Sequence, residues 1–265
     1  MLFSLSAFNS LLCPVRACGQ PLTPHHRTFL CPHGHSFDLA RSGYLNLLQP
    51  QDKRSAHPGD SKAAALARRL LHDHGHTRPF LDFLLTHVSP TDHLLDLGCG
   101  EGFFLGEIQQ RTACQATGVD LSAPAIDLAA RRYPQPLWIV ANADRPLPFA
   151  AASFSLLLSI TARRQPAEFH RLLAPHGRLL LATPAPEDLK ELRGSTPDRT
   201  PQILAEFSPY FTLQSHTRLT HTAPLTADEL TALRLSIYRP LTNQEPTAQE
   251  VTFSLDFNLL GKVIY

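Results

Sequence analysis

The residues best placed to do chemistry form two groups. Leu94-Leu95-Asp96-Leu97-Gly98-Cys99-Gly100-Glu101-Gly102 is an apolar run ending in a glycine-rich turn, and Thr117-Gly118-Val119-Asp120-Leu121-Ser122 follows it. Glycines at 98, 100 and 102 let the backbone turn tightly after a strand and bring a ligand against the main chain. Asp120, closing a second short apolar run, is expected beside that turn, where its carboxylate accepts hydrogen bonds from both hydroxyls of a ribose. The glycine spacing lacks the third-glycine helix packing of the dinucleotide fingerprint, and Glu101 within the turn would repel a pyrophosphate. The pattern therefore suits a nucleoside that carries no phosphates. The second group is Cys13-x4-Cys18-x12-Cys31-x3-His35. Two short-spaced pairs supply four borderline-soft donors, the set that tetrahedral zinc takes. Three thiolates and a neutral imidazole make a closed, structural site rather than one with an open catalytic position. His33, His25 or His26 is an alternative fourth ligand to His35.

With its leading Asp96, the glycine turn resembles motif I of the S-adenosylmethionine-dependent methyltransferases, whose cofactor carries a sulfonium and an amino acid in place of phosphates. The resemblance implies cofactor contacts at Asp96, Gly98, Gly100, Glu101, Gly102, Asp120 and Leu121. It also implies contacts in the loop Asn142-Ala143-Asp144, with Asp144 preferred over Asn142 for the adenine amino group. Cys99 reads as small packing rather than a nucleophile, because methyl transfer to a ring nitrogen needs no covalent adduct.

Further segments make the likeness more specific. Gly43-Tyr44-Leu45-Asn46-Leu47-Leu48, Lys53-Arg54-Ser55-Ala56-His57-Pro58-Gly59-Asp60-Ser61, Ala67-Arg68-Arg69 and Gly75-His76, together with the zinc cysteines, resemble the bacterial 23S ribosomal RNA guanine-N1-methyltransferases from Cys13 to Tyr265. That family implies transfer of a methyl group to a guanine in a large-subunit RNA hairpin, with S-adenosylmethionine as cofactor, structural zinc and ribosomal RNA as partner. Departures from its pattern gather around one pocket. Thr161 stands where a tyrosine is usual, Thr77 where an aromatic residue is usual, Asp188 for a histidine and Ser155 for an aspartate. Asp188 is the candidate proton acceptor and Thr161 the other candidate catalytic position. Arg163 and Arg164 are candidate substrate contacts, to O6 or a nearby phosphate. A small-molecule methyltransferase and a noncatalytic RNA-binding relative are the competing readings.

At 265 residues and 43% hydrophobic, the chain can bury one α/β core and a small accessory module. No apolar run reaches the roughly eighteen residues of a membrane span, and no signal peptide is legible, so a cytoplasmic location is expected. Five cysteines, an odd number, point to metal rather than disulfides in that compartment. Residues 1–90 hold nine Lys/Arg against five Asp/Glu, and residues 91–265 hold fifteen against eighteen. Lys53, Arg54, Arg68 and Arg69 are therefore candidate phosphate contacts. Homodimerisation is compatible with the sequence.

The elements that must position these groups alternate as a doubly wound sheet requires. A single helix is expected over 61–87, capped by Asp60 or Ser61. Strands are expected at 93–98, 116–120, 137–141, 154–160, 178–183, 211–220 and 251–260. Helices are expected at 101–111, 123–132, 166–174, near 185–193, 201–208 and 226–236. Ser122 is a cap and Pro124 a first-turn residue. The expected fold is a Rossmann-like class I methyltransferase: a mostly parallel seven-stranded sheet, its last strand antiparallel by resemblance, with an N-terminal zinc module. The expected divisions are an extension at 1–12, the zinc module at 13–50, a linker and bridging helix at 51–92 and the methyltransferase domain at 93–265.

Overall fold

The computed structural model describes residues 10–50, 58–237 and 247–264. Its first part is a three-stranded antiparallel ribbon of β1 (Thr23–His25), β2 (Thr28–Leu30) and β3 (Ser36–Asp38), followed by a short strand β4 (Leu45–Asn46). Two helices come next, α1 (Lys62–Asp73) and α2 (Arg78–Leu85). The alternating part is β5 (His93–Leu97), α3 (Phe103–Thr112), β6 (Gln115–Asp120), α4 (Ala123–Arg132), β7 (Leu137–Val140) and β8 (Phe154–Ile160). It continues through α5 (Pro166–Leu172), β9 (Leu173–Pro184), α6 (Lys190–Arg193), α7 (Thr200–Phe207), β10 (Phe211–Leu225), α8 (Ala227–Ser236) and β11 (Gln249–Lys262).

Among the described residues the large sheet has eight strands, in the order β10-β11-β9-β8-β5-β6-β7-β4. Strands β8, β5, β6 and β7 are parallel neighbours, as are β8 and β9, while β11 runs antiparallel to both β9 and β10. The chain reverses its direction of progress between β5 and β8, the crevice where open α/β sheets bind ligands beyond the carboxyl ends of their strands.

Three expectations are corrected. The seven-stranded sheet gains an eighth strand because the Gly43–Leu48 segment docks on its edge: Leu45 pairs with Ile139, and the Leu47 N–H donates to the Val140 carbonyl at 2.9 Å. The single helix over 61–87 is two, since Gly75 takes the left-handed conformation at φ +85° and Pro79 opens the second helix without needing an N–H partner. The helix near 185–193 is only the single turn of α6, preceded by Leu189 with φ +56°. Caps form where expected: Ser61 accepts from the Ala64 N–H, and Ser122 accepts from that of Ala125.

Because strand side chains alternate, each central strand feeds two cores. Leu94, Leu156, Leu158 and Leu180 pack on one side with residues of α1 to α4, around Trp138. Leu95, Leu97, Leu157 and Leu179 pack on the other with α5, α7 and the N-terminal ribbon, whose Leu11, Cys13, Leu22, Phe29 and Cys31 belong to the same cluster. The ribbon is thus continuous with the sheet it covers. It is also pinned through the Leu12 N–H to the Pro148 carbonyl at 2.9 Å. Phe37 packs against this second core, and Tyr44 against the first.

Candidate cofactor cleft and metal centre

At the carboxyl ends of β5 and β6 the turn 98–102 is locked by Asp120. Its two oxygens accept from the Gly100 N–H at 2.9 Å and the Ser122 N–H at 2.8 Å. Burial raises the Asp120 pKa despite those bonds. Gly98, Gly100 and Gly102 all have left-handed backbones, with φ of +78°, +57° and +85°. Their missing side chains face protein: a Cβ at Gly98 would lie 2.5 Å from Ala162 Cβ, and one at Gly102 would lie 2.6 Å from Trp138. Close packing and the turn itself demand these two glycines. Gly100 faces the Arg68 guanidinium, 3.2 Å from where its Cβ would stand.

Asp96 is buried beneath the turn, and among the described residues no cation or hydrogen-bond donor reaches its side chain. Burial, with the Asp120 carboxylate behind it, pushes Asp96 up to about 7. A buried acid without a cation fits a ligand that brings positive charge, and S-adenosylmethionine carries two such groups. Leu121 is half-buried at the rim. Beyond β7, the Asn142 side-chain oxygen accepts from the Asp144 N–H at 2.9 Å, which turns the loop over the strand end. Arg163, three-quarters exposed, reaches across from the end of β8 to Asp144 at 3.6 Å.

Several predicted contacts lie elsewhere. Glu101 does not face the turn's open side. It is 1% exposed and points at α1, where it accepts from Arg69 Nε at 3.2 Å and lies 3.6 Å from His72 Nε2. Burial raises its pKa, so Arg69 is the charge that offsets it. Arg69 also donates to the Leu128 carbonyl at 3.1 Å, and Arg68 donates to Asp60 at 2.6 Å and to the Ser236 carbonyl at 2.9 Å. Both arginines are internal ties rather than a phosphate-facing pair. Arg164 lies 3.5 Å from Glu206. Lys53 and Arg54 lie outside the described residues.

Asp188 is corrected as proton acceptor. It is buried, one oxygen accepts from Arg193 at 2.8 Å, and the other accepts from the Ser254 N–H at 3.1 Å. Both of its oxygens are therefore engaged within the protein. Thr161 is exposed and takes φ +53°, its N–H held by the Ala182 carbonyl at 2.9 Å, where the chain turns to seat Ala162 on Gly98. Thr77 turns inward to His72 Nδ1 at 2.6 Å. Burial, then Arg68, lower His72 to about 3, and it stacks on Phe103 with centroids 4.3 Å apart. Ser155 donates to Asp92 at 2.6 Å, where an aspartate would set two carboxylates together.

The segment 58–61 docks on the start of α4 in a way sequence reasoning missed. Gly59 packs on the Ser122 backbone, and Ser122 Oγ donates to the Asp60 carbonyl at 2.6 Å. The Pro-Gly-Asp-Ser run signalled a turn, but its partner across 62 residues had no local trace.

In the ribbon, Cys13, Cys18, Cys31 and His35 bring their donor atoms within 4.8 Å of one another. Tetrahedral zinc with ordinary bond lengths sets sulfurs about 3.8 Å apart and sulfur and nitrogen about 3.6 Å apart. Cys18 and Cys31 sulfurs stand at 3.8 Å, and His35 Nδ1 lies 3.4 Å from both Cys13 and Cys31 sulfurs. The donor set fits zinc. His33 Nδ1 also approaches Cys18 at 3.4 Å, at the exposed side. Burial pushes the Cys13 thiol up to about 12, so its ionisation depends on the cation it would bind.

Residues 11–56 match the zinc-ribbon family described as RlmA, N-terminal, and residues 94–178 match a methyltransferase domain family. The 23S rRNA (guanine(748)-N(1))-methyltransferase of Streptomyces fradiae is 34% identical over 233 residues, covering 83% of this chain and 81% of that protein. A putative 23S rRNA (guanine-N(1)-)-methyltransferase of Micromonospora griseorubida is 36% identical over 205 residues, covering 69% and 68%. Among solved structures, a putative methyltransferase from Bacillus halodurans superposes with a TM-score of 0.53 at 14% identity, covering 72% of this chain and all of that one (100%). That likeness concerns the fold alone.

Proposed function

The chain belongs to the bacterial 23S rRNA (guanine-N1)-methyltransferase family, and from that premise we propose that it methylates N1 of one guanine in a hairpin loop of large-subunit ribosomal RNA. The observation that carries the reading is that the Cys3His ribbon shares its core with the cofactor sheet, while the strand that follows it, Leu45–Asn46, pairs on that sheet's edge. A cofactor cleft alone serves methyltransferases of many substrates, whereas a zinc module sharing its core with that cleft supplies a rigid second surface for an RNA loop.

Bound at the ends of β5, β6 and β7, S-adenosylmethionine supplies an electrophilic methyl group. Asp96 would balance the cofactor's positive charge, Asp120 would accept from the ribose hydroxyls, and Asn142 and Asp144 would meet the adenine. Guanine N1 bears a proton in its neutral form, and the base must leave its stack to align for in-line transfer. The protein's task is therefore to orient the base, exclude bulk water and let the N1 proton pass to an acceptor as the methyl group arrives. Arg163 is an exposed cation near the Asn142–Asp144 loop, suited to O6 or a phosphate. Among the described residues no helix is long and apolar enough to cross a membrane. An rRNA substrate agrees with action in the cytoplasm.

Mass spectrometry of ribosomal RNA from cells with and without the chain tests this reading. One guanine should lose a methyl group when the chain is absent. Unchanged rRNA, together with methyl transfer to a small molecule by the purified protein, would refute it.

A further inference from the structure

Away from the ribbon, a second cluster of ligating side chains joins the α1–α2 turn to the start of α8. His74 Nδ1 and His76 Nε2 both lie 2.7 Å from the same atom, Glu229 Oε1. The three donor atoms lie within 4.8 Å of one another. Gly75 makes this possible: at φ +85° it reverses the chain between the two histidines, and a Cβ there would meet nothing within 4 Å, so the glycine is required by backbone conformation.

We propose that His74, His76 and Glu229 form a second metal site, for a divalent ion of borderline softness such as zinc. Two imidazoles and one carboxylate are a common protein donor set for that ion, with water filling the remaining position. On the carboxylate side an outer layer is present. Glu229 Oε2 is held by the Thr226 N–H at 2.7 Å and the Thr226 hydroxyl at 2.8 Å, within the capping box of α8, which leaves Oε1 aimed at the histidines. His76 stacks on Phe253, with rings 13° from parallel, and its carbonyl accepts from His221 Nε2 at 2.8 Å. The His74 side chain is 48% exposed, which provides an entry path and room for the water ligand. Around tetrahedral zinc, oxygen and nitrogen donors sit about 3.4 Å apart, so each contact opens by well under 1 Å on binding. An ion here clips α8 to the α1–α2 turn, at the end of the helix opposite to the Arg68 bond with the Ser236 carbonyl.

The test is cobalt titration of the untagged full chain carrying zinc in its Cys3His cluster, followed by calorimetry and absorption. One further equivalent of Co2+ should bind, with visible d–d bands and no thiolate charge transfer. His74→Ala should abolish that equivalent and Glu229→Gln should weaken it more than about tenfold, with circular dichroism unchanged. The proposal is overturned by absence of a further equivalent in the wild type, by a thiolate charge-transfer band accompanying it, or by binding that persists unaltered in both variants. None of these readouts depends on methyl transfer, so failure here leaves the rRNA reading untouched.

Discussion

Replacing Asp96 with asparagine isolates one buried charge and gives a pH dependence of known sign. Asp96 is 3% exposed, and burial together with the Asp120 carboxylate places it at about 7, up from 3.8. A cationic ligand binds the ionised form, so the apparent Kd scales with one plus the ratio of protonated to ionised Asp96. That factor is about 30 at pH 5.5 and about 2 at pH 7, or about fifteenfold weaker binding at the lower pH. The cofactor's own α-amino group, with an ordinary pKa of about 7.7 to 8.0, stays protonated over most of this window. Calorimetry of S-adenosylmethionine binding at pH 5.5, 6.25 and 7 measures the slope. Asp120 and Glu101, whose pKa values burial also raises, remain in Asp96→Asn, so the difference between the two proteins belongs to Asp96. The variant should bind weakly with a much shallower slope. Equal slopes in the two proteins would refute the placement of positive charge beside Asp96. Stability of the free protein moves the other way. Because the folded pKa is the higher one, Asp96 contributes stability that is full below pH 4 and is lost as pH rises through about 7, by at most about 4 kcal/mol. Asp96→Asn should therefore raise Tm at pH 8 and leave it nearly unchanged at pH 4.

Other substitutions follow from the same geometry. Arg69→Met strands the Glu101 carboxylate in the core and should cost about 3–5 kcal/mol in denaturant unfolding, while the double variant with Glu101→Leu should recover most of the loss. Gly102→Ala combines a left-handed backbone with contact to Trp138 and Ala129, and an unfolding cost of about 2–5 kcal/mol is expected. Removing zinc with a chelator should lower Tm of the whole chain in one transition, since Cys13 and Cys31 sit in the core that also holds Leu95 and Leu157; a separate early transition for the ribbon would contradict that continuity.

Local chemistry is what the sequence by itself determined about this protein. The glycine turn with Asp120, the four zinc donors at short spacings, the caps at Ser61 and Ser122 and the alternation of strands and helices depend on neighbours within a few residues, and such patterns leave their mark in the chain. The Gly43–Leu48 and Pro58–Ser61 runs were visible as signatures without a visible reason. Tertiary structure supplied the reason, as an edge strand on β7 and a strap on Ser122. It also decided the fate of charges whose types had suggested a site. Arg68, Arg69, Glu101 and Asp188 look alike in sequence to ligand contacts, yet their partners, at Ser236, Leu128, Arg69 and Ser254, consume them. An ionised side chain is worth most to a ligand when nothing else in the protein satisfies it. Only long-range packing settles that, and among the described residues it leaves Asp96 as a buried carboxylate without a cation at the cleft.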